Sequence, residues 1–340
     1  MKHFHHAGLV RTLVLLISLA LLLCACSSQS KPIKGTELEM TVVGQCEGYD
    51  IYYEELRYLT LSYRDIMENY YGEGIWDDPT TAQQYLPELT DYVMNNLTAN
   101  YAVLSHCETF SIDINHEAIQ EAVQQSVDEM VKEMGGRKQY IEALKSMYLT
   151  DHLVRFTVGT DYCQNELMYS LMDIGAIISN ELDFLTYAQG GGFCAVYHIF
   201  IGNDEGESVE DNRKKAEEAL AKIKSGTEFE DLIGSIYNED VYMVSTPYYF
   251  TRGEYDQVYE DAAFALEIGE VSDIVQTEDG FYILKRQPLD QNYLVGNLTE
   301  LKQRYQYAGV ETLVRELQGK LTVELNEFGK SLDLLAIEME

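Results

Sequence analysis

Apolar residues recur along this chain with two different periods, and the change of period divides it. Tyr52, Leu56, Leu59, Tyr63 and Ile66 fall on one face of a helix, and Leu89, Val93, Leu97, Tyr101 and Leu104 repeat that spacing further on. Pro87 suits the first turn of this second helix. Helical spacing continues at about 113–134, 137–148 and 150–172, interrupted by Gly135-Gly136 and by the cap Thr150. Glu39 to Val43 reads as one edge strand, and 71–81 as a loop around the single tryptophan, Trp76. No fixed repeat appears, so a helical solenoid is excluded.

After Gly190-Gly191-Gly192 the pattern changes. Cys194-Ala195-Val196-Tyr197-His198-Ile199-Phe200 reads as a strand carrying one histidine. Ala216, Ala219, Leu220 and Ile223 then line one helix face, and Gly226 stops it in the left-handed conformation. Thr227-Glu228-Phe229-Glu230 has the form of a capping box, and 259–266 stacks Ala262, Ala263 and Leu266. Val275 to Lys285 predicts two short strands around an Asp279-Gly280 turn. This order is that of a small α+β domain over 194–288. Beyond Pro288, Leu301, Tyr305, Val310, Leu313, Leu317 and Leu321 form a helical stripe that must pack on something. The expected partner of 289–340 is the helical region 39–190, which makes 194–288 an insertion between two parts of one helical domain.

Composition narrows the function classes. The chain holds 57 acidic and 24 basic residues, a net charge of −33, which argues against nucleic acid as a partner. Residues 1–25 have a basic start (Lys2, Arg11) and an apolar core from Leu13 to Leu23, as a secretory signal does. A Ser/Lys/Gly linker occupies 26–38. Cys46, Cys107, Cys163 and Cys194 show no CxxC or CxxH spacing, so no metal is expected and they read as buried free thiols. His106, His116 and His152 are not clustered with acids and read as surface residues.

Several words of the 194–288 segment carry a resemblance: Tyr197-His198-Ile199, Gly226-Thr227-Glu228-Phe229-Glu230-Asp231-Leu232, Glu260-Asp261-Ala262-Ala263-Phe264-Ala265-Leu266, Gly269-Glu270-Val271-Ser272 and Thr277 to Leu284. The segment resembles a parvulin-type (PpiC-type) peptidyl-prolyl isomerase domain. Leu23-Cys24-Ala25-Cys26 looks like a bacterial lipobox, which implies cleavage before Cys26 and lipidation of its sulfur. Two acyl chains make a stable anchor where one does not. The whole order is similar to that of PrsA-type foldase lipoproteins, with a SurA-like helical N-terminal region. The location this implies is the extracytoplasmic face of a bacterial membrane.

Rotating an Xaa-Pro bond meets a barrier of about 18–20 kcal/mol because the planar amide loses resonance. It requires no nucleophile, metal or cofactor. By position, the resemblance makes His198 the first histidine of a buried pair and Asp240 the group beside the target amide. Tyr255, Tyr259 and Phe264 become the proline pocket, and Thr277 and Asp279 the supports of the histidines. Tyr282 replaces the second histidine and can hydrogen-bond to His198. Val241 to Tyr249 replaces the usual Gly-Gly-Asp-Leu-Gly stretch. Two functions follow: an isomerase acting on unfolded or proline-containing exported polypeptides, or a non-catalytic chaperone whose 26 tyrosines supply contact surface. Solute capture for a transporter lacks the two-lobed α/β pattern it needs. A homodimer through the helical block stays open.

Overall fold

The structure, a computed structural model, describes residues 31–202, 208–244 and 246–338. The signal segment 1–25, the lipidation residue Cys26 and the first part of the linker lie outside the described residues. The fold is mixed α+β and falls into two compact units: 171–312, and the flanking segments before and after it.

The first unit opens with a hairpin, β1 (Val42–Cys46) and β2 (Tyr49–Tyr52), turned through Glu47 and Gly48 at positive φ. Helix α1 (Tyr53–Tyr71) follows, and the Glu55 carboxylate accepts the Tyr52 N–H at 3.0 Å, satisfying a donor that no helical carbonyl reaches. Helix α2 (Pro79–Asn96) begins at Pro79, not at Pro87. Asp78 caps it, accepting from the Thr80 and Thr81 N–H groups at 3.1 and 2.8 Å, and Pro79 sits where no N–H is needed. Pro87 is therefore interior and leaves the carbonyl four residues back without its helical donor. Helices α3 (Ala99–Glu108), α4 (Glu117–Glu133), α5 (Arg137–Ser146) and α6 (Asp151–Asp173) complete the run. Leu89, Val93, Leu97, Tyr101 and Leu104 are buried, the face the helical spacing selects, whereas of the face expected on α1 Leu56 is buried and Tyr52, Leu59, Tyr63 and Ile66 are half-buried. Cys46, Cys107, Cys163 and Cys194 are buried free thiols.

Two adjacent acids at the start of α1 are buried. Glu54 accepts from Thr150 and bonds His152 Nδ1, so His152 is not the plain surface residue expected. Glu55 accepts from the Tyr101 hydroxyl at 2.8 Å. Burial raises Glu55 from the ordinary 4.5 to about 7, against the lowering effect of the Tyr52 and Tyr101 donors. A folded-state pKa above the unfolded one stabilises fully below pH 4.5 and is lost as pH rises through 7. Glu55's own share of the stability should fall by roughly 3 kcal/mol over that window, read as the difference between thermal melts of the wild type and of Glu55→Gln. Glu55→Gln should flatten the slope.

The second unit holds α7 (Glu181–Tyr187), a π-turn at 188–192, β3 (Phe193–Gly202), α8 (Val209–Lys224) and α9 (Phe229–Ile233). It continues through β4 (Tyr248–Thr251), α10 (Gln257–Ala265), β5 (Val275–Gln276), β6 (Gly280–Gln287) and α11 (Gln291–Gly296). The strands form one antiparallel sheet of order β4-β3-β6-β5. Alternation gives the sheet two apolar faces. Ile199 and Ile283 pack with Ala219, Leu220, Phe229 and Leu232 of α8 and α9. Cys194, Val196 and Leu284 pack with Tyr259 and Ala263 of α10.

The unit boundaries differ from the expected 190 and 289. Phe184 and Ala188 cluster with Phe193, Tyr249, Leu294 and Leu301, so the flanks of the sheet belong to its own unit. Leu301 and Tyr305, the first two positions of the helical stripe expected to cover the N-terminal region, are spent on these rings. Helix α12 (Leu298–Gln318) carries the chain out of the unit. Beyond it β7 (Glu324–Leu325) pairs antiparallel with β1, which joins the C-terminal residues to the first unit, and the short α13 (Glu327–Ser331) follows.

Candidate active site

The site lies on the α10 face of the sheet, where β3 presents His198. The antiparallel register sets His198 opposite Leu284 and Phe200 opposite Tyr282, so His198 and Tyr282 emerge on one face. The imidazole is buried and both its nitrogens are engaged. Nδ1 lies 3.0 Å from the Tyr259 hydroxyl and Nε2 lies 3.0 Å from Asp240 Oδ2.

Three donors hold the Asp240 carboxylate. Oδ2 also accepts from the Tyr248 hydroxyl at 2.8 Å, and Oδ1 accepts from the Tyr242 N–H at 2.8 Å. Burial pushes this carboxyl up, but the hydrogen bonds from His198, the Tyr242 amide and Tyr248 outweigh it and pull it down to about 2. Asp240 is therefore an anion at any ordinary pH and can only accept. In the neutral ring, the proton must then sit on Nε2 of His198. Burial drives the Tyr259 phenol far above its usual range, so that hydroxyl stays protonated and donates to Nδ1.

Asn238 fixes the turn that delivers Asp240. Its Oδ1 accepts from the Phe200 N–H at 2.9 Å, and its Nδ2 donates to the Ile233 and Asp240 carbonyls at 3.0 and 3.1 Å. The Tyr255 turn is pinned by two acids, Glu260 buried and Glu254 half-buried. Glu260 accepts from the Gly253 and Tyr255 N–H groups at 2.8 and 2.9 Å, and Glu254 from the Thr251 N–H at 2.8 Å. Arg304 Nε donates to Glu254 at 2.7 Å.

The expected residues divide into three groups. His198, Asp240, Tyr255 and Tyr259 come together: the Tyr255 and Tyr259 rings stack at 5.2 Å, with Phe250 edge-on to Tyr255 at 4.9 Å. Tyr282 is present as a ring and not as the hydrogen-bond partner expected. It stacks on Phe200 at 4.6 Å and meets His198 edge-on at 5.3 Å. The expected donor's place is taken by the Tyr259 hydroxyl.

Thr277 and Asp279, expected to support the histidine, belong instead to the β5–β6 turn, where the Thr277 N–H donates to the Gly280 carbonyl at 2.9 Å. Phe264 lies against Phe250 at 5.8 Å and under the guanidinium groups of Arg252 and Arg286, at 4.4 and 5.4 Å. The family pattern does not point to Tyr248, Phe250 or Asn238. The alternation in Tyr248-Tyr249-Phe250-Thr251 was the available signal, since it puts Tyr248 and Phe250 on one side of a strand.

A buried histidine bonded to a carboxylate above a shelf of aromatic rings, on a four-stranded antiparallel sheet, defines a class. Residues 198–287 match the family model of the rotamase, or PPIC-type PPIASE, domain, and the chain carries a parvulin-type domain there. Among individual proteins, the chain is similar to the foldase protein PrsA of Bacillus subtilis, 31% identical over 136 residues that cover 38% of this chain and 43% of that protein. It is 53% identical over 38 residues to the peptidyl-prolyl cis-trans isomerase ESS1 of Saccharomyces cerevisiae, covering 11% of this chain and 22% of that one. The matches thus span less than half of these relatives. The crystal structure of PrsA from Bacillus anthracis covers 66% of this chain and 96% of its own, at 17% identity and a TM-score of 0.37.

Proposed function

We propose that this chain is an extracytoplasmic foldase that catalyses cis/trans isomerisation of Xaa-Pro bonds in exported polypeptides and is held at the membrane through lipidated Cys26. The observation that carries the catalytic part is the Asp240 carboxylate, ionised and gripped by three donors beside an aromatic shelf. Resonance in a planar amide places negative charge on the carbonyl oxygen, and twisting the C–N bond removes it. A fixed anion beside that oxygen raises the energy of the planar form more than that of the twisted one, so the barrier falls. The anion is preorganised, and no solvent has to rearrange when the bond turns. His198 acts through Asp240, with its ring locked by Tyr259. The Tyr255 and Tyr259 rings offer an apolar face for the proline.

Tyr255→Ala should raise KM for a proline peptide several-fold and leave kcat within about twofold, the signature of lost uniform binding. Steady-state isomerisation assays on the full chain check this. An unchanged KM would remove Tyr255 from the pocket.

A second activity, holding of unfolded clients, is favoured by a tyrosine cluster in the first unit. Tyr63 stacks on Tyr92 at 3.6 Å and Tyr71 on Tyr85 at 4.4 Å, while Tyr70 is 53% exposed. Suppression of client aggregation that survives Asp240→Ala supports this. Loss of suppression in that variant would tie holding to the isomerase site.

A further inference from the structure

We propose that Tyr248 is a positioning residue of the isomerase site, holding the Asp240 carboxylate in place against His198; this rests on the isomerase reading above. Its hydroxyl donates at 2.8 Å to Oδ2, the same oxygen that faces His198 Nε2 at 3.0 Å. Oδ2 therefore has two donors on it, and the Tyr242 N–H holds Oδ1 from the next residues of the chain. With both oxygens tied, the carboxylate cannot rotate about its Cβ–Cγ bond. Without Tyr248, Oδ2 would be tethered by the imidazole alone.

The phenol is itself fixed. Tyr248 opens β4 and pairs with Val196 of β3, two positions before His198, so the strand ladder sets its height relative to the histidine. Its ring lies 5.2 Å from the imidazole at an interplanar angle of 32°. It is half-buried and packs against the cluster of Ile199, Phe229, Met243 and Ile283. Burial raises the phenol well above its usual range, with the Asp240 bond adding to the effect, so it stays protonated and donates.

Tyr248 falls in the Val241–Tyr249 stretch that departs from the glycine-rich loop of the parvulin type. Glycine carries no side-chain donor. The departure that looks in sequence like decay of the site therefore adds a hydrogen bond to its central acid. Together with the Tyr259 hydroxyl on Nδ1, it gives the histidine–carboxylate pair two phenolic anchors, one at each end.

Tyr248→Phe keeps the ring and removes only the hydroxyl. In the full chain it is expected to lower kcat for an Xaa-Pro peptide about 3–10-fold with KM unchanged, because a residue acting through Asp240 alters the turnover step and not uniform binding. Added to Asp240→Ala it should cost nothing more, since the two variants remove one shared interaction. A Phe variant with full kcat overturns the inference. So does a loss confined to KM, which would make the phenol a substrate contact, and so does a double variant worse than Asp240→Ala alone. A wild-type chain inactive on every proline peptide overturns the isomerase reading and this inference with it. An active wild type with an unaffected Phe variant overturns this inference alone.

Discussion

Replacing Asp240 by Asn is expected to lower kcat/KM for Xaa-Pro isomerisation by about 10–100-fold while the sheet and helices stay folded. The amide has the size of the carboxylate, so packing around His198 and Tyr248 is kept. What disappears is the charge that opposes the planar amide. Its loss should resemble removal of one preorganised electrostatic group from an active site, for which losses of about 100-fold or more are known. The site also becomes frustrated. Tyr248, His198 Nε2 and the Tyr242 N–H all donate toward this side chain, and an amide brings an NH2 group where one of them needs an acceptor.

The pH behaviour follows from the same bonds. Asp240 is held down at about 2 from the ordinary 3.8. Its contribution to stability is therefore present above 3.8 and is lost as pH falls through about 2. Activity governed by this acid should stay level down to about pH 3. Assays of initial rate against pH check this, and an activity that halves near pH 4 or 5 would assign the titrating group elsewhere.

Gly280→Ala should be the most destabilising small substitution in the second unit. Gly280 has φ +151°, and a Cβ there would stand 2.2 Å from the Ile201 carbonyl oxygen and 2.9 Å from Gly202 Cα. Both are backbone atoms of β3, so neither can swing aside as a flexible side chain would. The hairpin has to open where β6 meets β3, and the cost should exceed about 3 kcal/mol. Because β6 also carries Tyr282 and Leu284 against the His198 strand, activity should fall with stability. Gly226 is the control. It has φ +103° but open space around its Cβ position, so alanine there should cost only about 1 kcal/mol. Urea unfolding of both variants separates the steric effect from the conformational one.

Local patterns carried much of the fold. The strand with His198, the helix face of Ala216, Ala219 and Leu220, and the Asp279-Gly280 turn all follow from spacings within about ten residues. So does the buried face of α2 and α3, but on α1 only Leu56 of the expected five is buried, and Tyr53, Thr60, Leu61 and Met67 complete the buried side instead. The capping box expected at Thr227 to Glu230 does not form: Glu228 sits at the N-cap of α9 and no side chain caps it. Pro87 misled because a proline at a helix start is only one of the places a proline can occupy, and the Asp78-Pro79 pair made the stronger start. The unit boundary was obscured because an apolar stripe shows that a helix packs without showing on what. Leu294 and Leu301 meet Phe184 and Phe193, residues about a hundred positions away.

The site was legible only as far as the family resemblance reached. His198, Asp240, Tyr255 and Tyr259 came from positions in that pattern, and they meet in space. Which phenol bonds the imidazole did not. Tyr259 and Tyr282 are both tyrosines near His198, and only the register of β6 and the placing of α10 decide that one offers its hydroxyl and the other its ring. Tyr248 was hidden for a similar reason, since it lies in the stretch where the resemblance fails.

The most direct test is proline cis/trans exchange followed by NMR on short Xaa-Pro peptides, with the full chain and its Asp240→Ala and His198→Ala variants. Acceleration by the wild type that collapses in the Asp240 variant and weakens in the His198 variant is the expected result. Wild-type acceleration that both variants retain would place catalysis outside this site. No acceleration from a folded wild-type chain would mean that the domain binds without turning its substrate.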